Sequence, residues 1–113
     1  LDEATTTGKT HVVALERGVL RSFEIHPGDA GLPLAAPREL AGGDPAHNAR
    51  ALREVLGGVR NAYRDIAVLN AAIALVVAGE ARDLREGAAR AAAALDSGAA
   101  REKLELLTRV SNK

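Results

Sequence analysis

Apolar and polar residues follow two different rhythms along this chain, and the change falls near residue 37. Early on, HVVALERGVLRSFEIHP sets Val12, Val13, Val19, Phe23 and Ile25 in two short runs of residue types that favour extended backbone. The ERG between them supplies a turn in which Gly18 accepts a positive φ, so the pattern predicts a β-hairpin. Pro27-Gly28 ends the second strand in this reading, because proline has no N–H for the ladder and glycine tolerates the turn. The stretch GDAGLPLAAPRELAGG then reads as a connection. Pro33 and Pro37 prevent long regular structure there, while PREL allows one short helical turn.

From Asp44 onward the spacing is helical. Asp44 suits an N-cap with Pro45 at the first helical position, and Ala49, Leu52, Val55 and Leu56 form one apolar stripe before Gly57-Gly58 stop the helix. A second helix is predicted from about Asn61–Asp65 to Ala78, ending at Gly79. It is apolar on nearly every face, which predicts a helix covered all round. A third runs from Asp83 to about Leu95, with Leu84, Ala88, Ala91 and Leu95 on one side. The fourth runs from Ser97, the expected cap, to about Val110, with Ala100, Leu104 and Leu107 on one side and Leu106 beside them. Alanine-rich faces such as AARAAAAL let helices approach closely, but at ~25 cal/mol per Å² they contribute little each. A lone hairpin is also marginal, so these elements are expected to need more partner surface than they supply.

Composition changes this picture mainly by exclusion. With 113 residues, 47% apolar and 27% charged, the chain suits one modest domain. Its 15 basic and 15 acidic side chains cancel, which argues against a nucleic-acid partner or a polybasic membrane anchor. Phe23 and Tyr63 are the only aromatic rings, too few for a base-stacking platform or an ammonium cage. The absence of cysteine removes disulfide scaffolds, zinc-thiolate sites and thiol nucleophiles, and favours the cytoplasm. Ile66 to Ala78, the most apolar run, contains Asn70 and falls short of the ~20 residues that span a bilayer, so no membrane partner is expected. A chain that begins on Leu1 and holds no methionine creates the expectation of further sequence upstream.

Few residues suggest chemistry by themselves. GGD at Gly42 to Asp44 looks like an anion site ahead of a helix, but the cap carboxylate would occupy the free N–H groups and repel an anion. His11, His26 and His47 lack metal-ligand spacing, and Ser22 and Ser97 lack a nucleophile-elbow pattern. Asn70, polar within an apolar helix, should bond a nearby backbone group and serve packing between segments. Arg60, Arg64 and Asp65 should form a local charge cluster at the start of that helix, with Asp65 favouring its dipole. The pair Asp2-Glu3 sits in a stretch, LDEATTTG, whose composition allows a loop. In a loop, consecutive carboxylates can approach one cation, which a strand would forbid by pointing them to opposite faces.

Four blocks, LDEATTTGKTHV, GGDPAHNARALREVLGG, RDIAVLNAAIALVVAG and ALDSGAAREKLELL, occur in this order over essentially the whole chain. Together they resemble the C-terminal part of anthranilate phosphoribosyltransferases. The resemblance implies a piece of a larger catalytic α/β domain spanning 1–113, with a loop and hairpin over 1–36 and helices over 37–113. It implies transfer of the phosphoribosyl group of phosphoribosyl pyrophosphate to the amine of anthranilate, a step of tryptophan biosynthesis assisted by Mg2+. It further implies that Asp2 and Glu3 are magnesium ligands on the pyrophosphate, and that the full-length chain is a homodimer. The family's phosphate and anthranilate loops precede the Leu-Asp-Glu block, so no residue here inherits those roles and the isolated piece is expected to be inactive. Lys9 stands where family members often have proline, which bears on the shape of the loop. The rival readings are a fragment of a pyrimidine nucleoside phosphorylase-like enzyme and, from another class, a non-enzymatic helical interaction module.

Overall fold

The computed structural model describes all residues, 1–113, as a two-stranded hairpin followed by four α-helices. Strands β1 (Thr10–Glu16) and β2 (Val19–Ile25) pair antiparallel, from Thr10 opposite Ile25 to Glu16 opposite Val19. The two-residue turn between them has positive φ at both positions, 52° at Arg17 and 78° at Gly18, which matches the right-handed twist of the flanking strands. Val12, Phe23 and Ile25 share one face of the ribbon, and only its base is covered. Ile25 is buried and Val12 half-buried, whereas Val13, Leu15, Val19 and Leu20 stand in solvent. Two short 3-10 turns, Pro27–Ala30 and Pro37–Leu40, lead into the helices, the second over the predicted PREL.

Helices α1 (Pro45–Leu56), α2 (Ala62–Val77) and α3 (Leu84–Asp96) start on side-chain caps. Asp44, Asn61 and Asp83 each accept a hydrogen bond from the backbone N–H three residues on. The core lies where α2 meets α3. Val68, Leu69 and Ala72 of α2 pack with Ala88 and Ala91 of α3, closed by Ala4, Ile25 and Ala30. Small residues allow this crossing to be tight. A Cβ added at Gly87 would stand 2.8 Å from both the Cα and the carbonyl oxygen of Ala72.

The structure corrects three expectations. Helix α2 is not covered all round: Ala67, Ala71, Ala74 and Val77 form one exposed stripe, with Val77 82% exposed. The alanine-rich α3 and the short segments beside it wrap only the opposite side. Helix α4 (Ala99–Ser111) is capped by Gly98, not Ser97, because the backbone there takes φ 85°, a left-handed value that glycine adopts without strain. Ser97 ends α3, its Oγ only 3.4 Å from the Ala99 N–H, and α4 itself has no fully buried residue. Third, the charge cluster at the start of α2 is not local. Arg64, with 4% of its side chain exposed, donates paired hydrogen bonds of 2.9 and 3.1 Å to Asp96 at the end of α3, and Arg60 joins from 3.6 Å.

Candidate functional site

The chain bends at Glu3, and Asp2 and Glu3 are both exposed, so the pair lies on a loop as the composition allows. One residue later the backbone is held. The Ala4 N–H donates to Asn70 Oδ1 at 3.0 Å, and Asn70 Nδ2 donates to the Ala4 carbonyl at 2.9 Å. Beyond it the loop is stitched by threonines: the Thr5 N–H donates to Thr10 Oγ1, the Thr7 N–H to Thr5 Oγ1, and the Ala35 N–H to the Thr6 carbonyl. Thr6 is fully buried, and its hydroxyl has no protein partner. Lys9 pairs with Glu24 on the hairpin at 3.2 Å, directed to the strand and not to the acidic pair.

Asn70 does bond a nearby backbone group, the Ile66 carbonyl at 3.0 Å. Its two bonds to Ala4 join residues 66 positions apart. Asn70 thus makes both the nearby backbone bond and the link between segments that its polar place in an apolar helix predicts, with Ala4 as the distant partner. Nothing in the sequence pairs an amide inside α2 with an alanine of the opening loop.

Other candidates resolve into structural roles. The Asp44 carboxylate accepts from the His47 N–H at 2.7 Å, and Asn48 Oδ1 takes the Gly43 N–H at 2.9 Å, so the Gly43 and His47 donors at this helix start are occupied from within. His26 Nδ1 accepts from the Gly28 N–H to cap a 3-10 turn, and His11 stands 3.5 Å from Glu24. Asp65 faces an open recess of about 230 Å³ that Pro33, Leu34, Glu39 and Arg60 also line. Burial pushes its carboxyl above the usual range, opposed by the Arg64 charge. A second, more apolar recess lies between α1 and α2 around Leu52, Val55 and Tyr63. Asp2 and Glu3 line neither.

The donor chemistry at the opening loop suits magnesium bound to a phosphate. No group of three or more His, Cys, Asp or Glu gathers in the chain, so the acidic pair offers two carboxylates and no closed cage. Magnesium is commonly held in that way, by one or two carboxylates, with water and substrate phosphate oxygens filling its octahedron.

An α/β chain with a carboxylate pair on a fixed loop has clear relatives. The glycosyl transferase family, a/b domain, matches residues 1–101, and the chain belongs to this family. Among individual proteins, the chain is 66% identical over 99% of its length to the anthranilate phosphoribosyltransferase of Methylobacterium nodulans, covering 33% of that protein. It is 62% identical over 100% of its length to that of Methylocella silvestris, covering 32%. It superposes on Saccharomyces cerevisiae anthranilate phosphoribosyltransferase in complex with PRPP and Mg with a TM-score of 0.84 and 31% identity, over 93% of this chain and 30% of that one. The chain thus spans about a third of the length of the curated relatives it matches.

Proposed function

We propose that this chain is the C-terminal part of an anthranilate phosphoribosyltransferase. The observation that carries the reading is the 66% identity over 99% of the chain to a relative of that name, beside a family match that starts at residue 1. In the reaction the amine nitrogen of anthranilate forms a bond to C1 of the ribose. The C1–O bond to pyrophosphate breaks, its electron pair leaves with the pyrophosphate, and the amine gives up a proton.

Within that reaction we assign Asp2 and Glu3 the task of holding magnesium on the pyrophosphate. As carboxylates they are acceptor-only oxygens, the hard donors this cation prefers, and the bend at Glu3 lets adjacent residues serve one ion. Magnesium bound there neutralises charge that develops on the leaving group. The chain's own contribution is a held backbone: Ala4 tied to α2, and the threonine-bonded loop behind it. On this reading the intact protein works in tryptophan biosynthesis as a cytoplasmic homodimer. No helix of the chain is long and apolar enough to cross a membrane.

The test follows anthranilate fluorescence after adding phosphoribosyl pyrophosphate and magnesium to the full-length protein and to its Asp2→Asn/Glu3→Gln variant. The expected result is consumption by the parent, with a slower rate and a raised magnesium requirement in the variant. An inert parent overturns the activity. A variant with unaltered magnesium dependence removes the metal role of the acidic pair.

A further inference from the structure

We propose that Asn70 is a positioning residue for the magnesium-binding carboxylates, acting through the backbone of Ala4. The inference rests on the metal role given above to Asp2 and Glu3 and extends it to a residue that no sequence pattern connects with them.

The geometry is specific to a carboxamide. Asn70 Oδ1 accepts the Ala4 N–H at 3.0 Å, while Nδ2 donates to the Ala4 carbonyl at 2.9 Å and to the Ile66 carbonyl at 3.0 Å. Both donor hydrogens of the amide are thereby used. The side chain imitates a neighbouring strand, closing a pair of hydrogen bonds on a single residue. The Ala4 N–H belongs to the peptide group shared with Glu3, and that group is planar. Fixing it fixes the carbonyl side of Glu3, one Cα–Cα step of about 3.8 Å from the anchor.

Both ends of this link are arranged to hold. Ala4 is the first residue of the chain to make a hydrogen bond, so the tie sits immediately beside the acidic pair. Asn70 sits on the best-buried part of α2: Leu69 and Ala72 are both 0% exposed, and Val68 is 3% exposed. A carboxylate pair on a flexible loop would lose conformational freedom each time it bound a cation, whereas a tied backbone has lost part of it on folding. Aspartate cannot replace Asn70, since its oxygens would face the Ala4 and Ile66 carbonyls with no hydrogen to give. Serine can still bond the helix carbonyl four residues back, but it is too short to grip both groups of Ala4.

The experiment uses the full-length protein and four variants: Asn70→Ala, Asn70→Ser, Asp2→Asn/Glu3→Gln, and Val55→Ala as a buried control away from the loop. For each, the magnesium concentration giving half-maximal rate is measured. Mn2+ binding in the presence of phosphoribosyl pyrophosphate is measured by electron paramagnetic resonance, and the unfolding midpoint by calorimetry. Removing a group that orients metal ligands typically weakens metal affinity by roughly tenfold or more. Both Asn70 variants are expected to raise the half-saturating magnesium and weaken Mn2+ binding by about that factor, with much of the rate recovered at high magnesium. Val55→Ala is expected to lower only the unfolding midpoint. If the acidic-pair variant shifts metal binding while the Asn70 variants that fold behave like Val55→Ala, the proposal is overturned and the metal role stands. If the acidic-pair variant shifts nothing, both fall. Should Asn70→Ala fail to fold, Asn70→Ser carries the test, because it keeps a polar group bonded within the helix.

Discussion

Gly87 of α3 rests against Ala72 of α2 so closely that a Cβ on the glycine would meet the alanine's Cα and carbonyl oxygen at 2.8 Å. The two helices are therefore in backbone contact, and the core they enclose is built from small side chains held near rather than large ones interlocked. Gly87→Ala should be destabilising even though alanine favours helices by about 1 kcal/mol over glycine. Overpacking against a backbone that cannot rotate away costs about 1–3 kcal/mol, and Ala72 is fully buried, so the clash should outweigh the propensity gain. Thermal unfolding checks this; an unchanged or raised midpoint would show that the helices separate freely.

The link between Arg64 and Asp96 should make stability depend on pH. Hydrogen bonds from Arg64 hold the Asp96 carboxyl below the usual range, aided by the charges of Arg64 and Arg60 and opposed by desolvation. A carboxyl with a lowered folded pKa stabilises the fold fully above the unfolded value of about 3.9, and that contribution drains away as pH falls through the folded value. Asp96→Asn should therefore melt below the parent at pH 6, with the gap closing toward pH 2. Calorimetry across that range provides the comparison. A gap that stays constant would mean that the pair contributes no differential protonation.

At the hairpin turn, Arg17 holds φ 52° without being glycine, asparagine or aspartate. A left-handed backbone costs an ordinary residue about 1–2 kcal/mol, and asparagine tolerates it best among side-chain-bearing residues. Arg17→Asn should slow amide exchange in β1 and β2 by several-fold and leave exchange in α2 unchanged. Equal exchange in the two proteins would show that the turn carries no strain.

Catalysis is expected to require more than these residues. The 113-residue chain by itself should leave anthranilate fluorescence unchanged in the presence of phosphoribosyl pyrophosphate and magnesium. Asp2 and Glu3 stand in solvent and line neither recess described above. Any turnover by the pure chain would contradict this.

Several features were legible from residue order alone. The hairpin with Gly18 in its turn, the cap at Asp44, the start of α3 near Asp83, the short turn over PREL and the loop under the acidic pair all appear as read. These are closed by hydrogen bonds or sterics within a few residues, where residue type and spacing suffice. The four ordered blocks also carried the family. Tertiary structure alone decided that Asn70 grips Ala4, that Arg64 and Arg60 reach Asp96 and not Asp65, that Gly87 admits α3 against Ala72, and which stripe of α2 stays uncovered. Each of those depends on how two distant segments approach, and an apolar helix such as α2 presents similar residues in every direction. The pattern along the chain can say that such a helix needs partners, but only the packed arrangement selects the face that meets them.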